Sequence, residues 1–122
     1  KKISEQALYE QVKQIFEYSV HDQWISDFRK MMTIEQFRSD SFGELYTKRF
    51  VDRLVNYHSA VFASLIEKGE ITGNADALAL LYVSPILTLI GICDRQPERE
   101  AECLEKLEKH VALFYYMTHH GR

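Results

Sequence analysis

Ala75–Cys93, ADALALLYVSPILTLIGIC, decides the fold, because after Asp76 no charged side chain occurs until Asp94. Wound as a helix, it sets Leu78, Leu81, Tyr82, Pro85, Leu89 and Ile92 on one face and Leu80, Val83, Ser84, Leu87 and Gly91 on the other. A small domain buries one such face in its own core and rarely both. The second face is therefore expected to meet another copy of the chain, with Ser84 and Gly91 letting two helices approach closely. The uncharged run nears the roughly 17 to 25 residues of a bilayer span. Acids bound both of its ends, however, and no Lys or Arg cluster marks a cytoplasmic flank, so it reads as a buried helix and no membrane is expected.

Pro85 should bend this helix near Leu81. Asp94-Arg95-Gln96-Pro97 ends it, and Pro97 suits the first position of a last helix, Glu98 to Thr118, with Glu98, Glu100 and Glu102 near its positive end. That helix carries two adjacent stripes, Leu104, Val111, Tyr115 and Thr118 beside Cys103, Leu107, His110, Phe114 and Met117. A double stripe again exceeds what one neighbour covers. Leu80, Ser84, Leu87 and Gly91, with Leu107, His110, Phe114 and Met117, are the expected interface of a homodimer. His119-His120-Gly121-Arg122 is a polar tail with no metal expected on it.

Upstream, Glu70 to Asn74 is a turn, with Asn74 an N-cap. Phe42 to Lys68 is the longest helical pattern, about 27 residues or roughly 40 Å, with Leu45, Tyr46, Phe50, Leu54, Tyr57, Val61, Leu65 and Ile66 on its apolar side and Gly69 as its stop. His58, without a second ligand at i+4, reads as a surface or hydrogen-bonded residue. Thr33-Ile34-Glu35-Gln36 and Ser41-Phe42-Gly43-Glu44 both have the form of a capping box, which predicts a one-turn helix through Phe37 and Arg38 and a sharp corner. Asp22 caps a short helix with Trp24, Ile25, Phe28, Met31 and Met32 on one side and Arg29 and Lys30 on the other. The first helix, Ile3 to Val20, has its stripe at Leu8, Val12, Ile15, Phe16 and Ser19. Lys1 and Lys2 lead straight into it, as in a sequence cut from something longer.

The fold class is all-α, a bundle of about five main helices in one domain over residues 1–122. At 46% apolar and 27% charged residues with a net charge of -3, the composition is that of a globular protein without overall attraction to phosphate backbones. Cys93 and Cys103 are too few for a disulfide framework and sit on helix faces beside Asp94 and Glu102, so reduced, inert and cytoplasmic is the expectation. No phosphate loop, G-x-S-x-G, H-E-x-x-H or paired Cys-x-x-Cys occurs. No enzyme activity, metal or cofactor is expected.

Phe28-Arg29-Lys30-Met31-Met32-Thr33-Ile34-Glu35-Gln36-Phe37-Arg38, Glu44-Leu45-Tyr46 leading into Arg49-Phe50, Leu65-Ile66-Glu67-Lys68-Gly69-Glu70-Ile71, Asp76-Ala77-Leu78-Ala79, Tyr82-Val83-Ser84-Pro85-Ile86 and His110-Val111 with Phe114 follow in order. Together, over Trp24 to Tyr116, they resemble the C-terminal domain of TetR-family transcriptional regulators. The resemblance implies a domain that dimerises through its last two helices, as an intermolecular four-helix bundle, and receives a small-molecule effector. Operator binding belongs in that family to an N-terminal helix-turn-helix domain. None precedes Ile3 here, so DNA is expected as a partner only through that absent domain.

An apolar or aromatic molecule is expected between the second helix, the long spine and the bent apolar helix. Trp24, Phe28, Met31, Phe50, Leu54, Tyr57, Tyr82 and Ile86 are the candidate wall, chosen by facing and bulk, with Tyr57 and Tyr82 offering hydroxyls. The alternative is a helical interaction module docking a heterologous protein.

Overall fold

The computed structural model describes residues 3–120, the side chain of His120 excepted. Lys1 and Lys2, read above as the lead into the first helix, and Gly121 and Arg122 of the polar tail lie outside the described residues. Among the described residues the chain is all-helical, with no strand.

Helix α1 (Glu5–His21) starts at Ser4, whose hydroxyl accepts from the Ala7 amide. Asp22 has extended backbone, closes α1 and caps α2 (Gln23–Glu35) by accepting from the Ile25 amide, so one residue makes the corner. Helix α3 (Asp40–Thr47) passes through a π turn (Lys48–Asp52) into α4 (Arg53–Glu67) with helical backbone at both joins. The expected spine is therefore one rod with a wide turn in it. Gly69, at φ 76, follows its end in the left-handed conformation that favours glycine. Asn74 caps α5 (Ala75–Arg95) through the Ala77 amide, and a 3-10 turn (Pro97–Arg99) leads into α6 (Glu100–His120).

Several local expectations are corrected. Thr33 lies inside α2, where its hydroxyl donates to the Arg29 carbonyl, and Gln36 is the C-cap, with Nε2 donating to the Thr33 carbonyl. Extending a helix already formed outcompetes nucleating a new one at Thr33, and Phe37 and Arg38 form a turn instead of a helix. Ser39, not Ser41, caps α3, because its backbone is extended and its hydroxyl accepts from the Phe42 amide at 3.2 Å. Pro97 opens the 3-10 turn and not α6 itself.

Helix α5 is central. Its Ala79, Tyr82, Val83, Ile86, Leu89, Ile90 and Cys93 are buried among α1 residues Leu8, Val12 and Phe16, Phe62 of α4, and Cys103, Leu107, Val111 and Phe114 of α6. By length and composition α5 could cross a membrane, and here part of that apolar surface packs on α1, α4 and α6 while Leu80 and Leu81 stay exposed. The Tyr82 ring sits 4.6 to 5.5 Å from those of His58, Phe62, His110 and Phe114, which makes an aromatic centre to the bundle. The buried stripe runs between the two faces drawn from the sequence: Val83 turns in, while Leu81 joins Leu80 and Ser84 outside. Helix α5 continues through Pro85, and side chains engage carbonyls just ahead of it. Ser84 Oγ donates to the Leu80 carbonyl at 2.7 Å and His110 Nε2 donates to the Tyr82 carbonyl at 2.9 Å.

Candidate functional site

A cavity of about 540 Å3 lies between α1, α2, the spine around its π turn and the second half of α5. That size falls in the range of small-molecule sites, about 300 to 1,000 Å3. Ile15 of α1, Ile25 and Ile34 of α2, Phe50, Val51 and Leu54 of the spine, and Leu87 and Ile90 of α5 form its apolar wall.

Arg29 crosses from α2 to α5 at this cavity. Its Nε and Nη2 donate to the two Asp94 carboxylate oxygens at 2.7 and 2.6 Å, and Nη1 donates to the Ser19 carbonyl at 2.9 Å. The two side chains are 8% and 15% exposed, so the pair is largely desolvated and holds α1, α2 and the end of α5 together. The expected polar side of α2 is thus corrected for Arg29, which points inward with Ser26 and Met32. Its partner lies 65 residues away, a pairing that no local pattern signals.

Of the eight expected wall residues, Phe50 and Leu54 line the cavity. Phe28 backs Phe50 with rings 5.7 Å apart, and Trp24 stacks on Phe28 at 5.1 Å while 65% exposed. Met31 and Tyr57 lie off the wall on the surface, with the Tyr57 hydroxyl accepting from Gln11 Nε2. Tyr82 and Ile86 are closed inside the core, and burial raises the Tyr82 phenol pKa above its usual value. Because α2 turns Arg29 toward Asp94, the Trp24, Phe28 and Met31 stripe is carried away from the wall and Ile25 takes its place.

The expected interface residues separate into three groups. Leu80, Ser84 and Met117 are exposed, as are Leu81, Leu113 and Tyr116. Leu87 and Gly91 line the cavity instead. Leu107 and Phe114 are buried within the protomer and present no surface, and His110 is half-buried and tied to the Tyr82 carbonyl.

The cavity lining includes Arg29, Lys30, Arg49, Arg53 and Arg95, against Asp94 as its carboxylate. Ser19 and Thr33 bring hydroxyls, and no His or Cys lies on the wall. No metal-binding group of His, Cys, Asp and Glu occurs among the described residues. Burial, with Cys103 beside it, pushes the Cys93 thiol up to about 12, which keeps it protonated and unreactive at neutral pH. No family model, curated protein or solved structure matches the chain. The wall combines branched aliphatic side chains with charged ones, and Lys30, Thr33, Ile34, Arg53 and Arg95 on it are exposed, so the cavity opens to the surface.

Proposed function

We propose that this chain is the effector-binding and dimerisation domain of a TetR-like transcriptional regulator, cytoplasmic and non-catalytic. It takes an apolar or aromatic small molecule and couples its presence to operator binding by a helix-turn-helix domain upstream of Lys1. The cavity at the Arg29–Asp94 bridge carries this assignment. A guest there touches α2, the spine and α5 at once, so filling it favours one spacing of α2 from α5 over another. A difference in affinity of about 1 to 3 kcal/mol between the two spacings is enough for a switch. The exposed Leu80, Leu81, Leu113 and Met117 on α5 and α6 add support, as the surface through which two copies form a four-helix bundle.

Thermal denaturation across a panel of apolar and aromatic compounds tests the sensor. A true effector at a hundred times its Kd should stabilise the fold by about 2.7 kcal/mol and alter Trp24 emission through Phe28 and Phe50. No shift with any compound overturns the assignment. Phe37 and Ile34, 89% and 77% exposed at the α2–α3 corner, favour the second reading, a module that docks a heterologous protein. A stable dimer in sedimentation supports the regulator, and a monomer supports the docking module.

A further inference from the structure

We infer that the molecule held in the cavity is an amphipathic organic anion, its acidic head among Lys30, Arg49, Arg53 and Arg95 and its apolar body against Ile25, Leu54 and Ile90. This deepens the effector reading and rests on it.

The charge on the wall is the reverse of the charge on the chain. With 18 acidic and 15 basic residues overall, a wall drawn without selection would carry carboxylates at least as often as cations. It carries Asp94 alone, and both Asp94 oxygens are occupied by Arg29. None of Lys30, Arg49, Arg53 and Arg95 forms an ion pair among the described residues. The Arg95 guanidinium lies along the wall: its two terminal nitrogens are 3.4 and 3.8 Å from the point where a side chain on Gly91 would begin. The Arg49 guanidinium lies 5.9 Å from the centre of the Phe28 ring, which backs Phe50.

Like charges lining one cavity repel each other, and an anionic head relieves that repulsion while it gains charge-assisted hydrogen bonds. A neutral guest leaves the repulsion in place, and a cationic guest adds to it. The branched aliphatic side chains of the same wall, Ile25, Leu54 and Ile90 among them, suit an alkyl or alicyclic body. Carboxylates, sulfonates and phosphate monoesters with such a body share the required chemistry.

Three probes of equal tail and different head separate the possibilities: decanoate, decan-1-ol and decylamine, titrated calorimetrically into the 122-residue chain below their micelle concentrations. Decanoate should bind at least about tenfold more tightly than decanol, decylamine should give no binding, and added salt should weaken decanoate alone. Replacing both Arg53→Gln and Arg95→Gln, two exposed side chains, should weaken decanoate about tenfold, leave decanol binding unchanged and, with part of the repulsion gone, not lower the melting temperature. Equal binding of decanoate and decanol, or decanoate binding unchanged in the double variant, overturns the anion assignment and leaves the effector site standing. If none of the three binds, the anion assignment fails, and the panel of neutral apolar and aromatic compounds decides the sensor reading separately.

Discussion

Arg29 is 7% exposed and spends its guanidinium on Asp94 and Ser19. Asp94→Ala would strand that cation in a desolvated place and should cost about 3 kcal/mol, read from the urea midpoint. Arg29→Met with Asp94→Leu should cost clearly less, since no charge is left behind. His58 makes a second prediction. It is buried, its Nδ1 donates to the Leu54 carbonyl, and desolvation lowers its pKa below the ordinary value of 6.5, the carbonyl partly opposing. The unfolded chain therefore binds a proton more readily than the folded one. Stability should be full above that ordinary value and fall as pH drops through and below it. A urea midpoint lower near about pH 5.5 than near pH 7.5, with the slope flattened by His58→Phe, is the expected result; an unchanged slope in the variant assigns the effect to other groups. His58 illustrates what a single residue discloses in sequence: lacking a second ligand it reads as a surface or hydrogen-bonded residue, and the structure makes it hydrogen-bonded and buried, at a depth and among aromatic neighbours that the sequence does not display. Arg29 discloses less, because its role exists only through an acid from another helix.

At the level of helices, caps and periodicity were legible where one physical effect dominates. Asp22 and Asn74 cap, Gly69 follows the end of the spine, and the α1 stripe buries Leu8, Val12 and Phe16. Capping boxes failed where a motif of correct spacing competed with a helix already growing, as at Thr33. Of the residues that bulk and facing put on the cavity wall only Phe50 and Leu54 line it, and the aromatic stripe of α2 is turned from it as Arg29 reaches Asp94. Gly91 separates two physical pictures. Nothing packs closer to it than the Arg95 guanidinium at 3.4 Å, so Gly91→Ala should raise stability by about 0.5 to 1 kcal/mol through helix propensity. A helix of a second copy pressed against Gly91 would make the same change destabilising. Urea midpoints of parent and variant, compared at low and high protein concentration, decide between them.

Across the whole molecule, apolar surface is distributed unevenly. The core closes around Tyr82, yet Leu80, Leu81 and Leu113 stay about half exposed or more, at 58%, 48% and 60%. If two copies cover that face, Leu80→Arg should convert the dimer to a protomer in sedimentation, since a charge buried there has no partner, while the protomer keeps its helical circular dichroism. A parent chain that is already a protomer at high concentration overturns the dimer. The excess was readable from α5 and α6, because each carries apolar side chains on more than one of its faces. Which of those residues stay outside was not, because a small rotation about the helix axis decides it. The π turn at Lys48–Asp52 brings Arg49, Phe50 and Val51 onto the chamber wall between Tyr46 and Leu54, while His58 and Phe62 further along the rod meet Tyr82. Losing a single residue there would let the segment wind as ordinary α-helix, in which four residues sweep nearly the angle that five sweep in the π form, so the two halves would keep almost the same facing. A lineage carrying this rod could thus gain or drop one amino acid at that point while the helix on either side of it keeps its orientation.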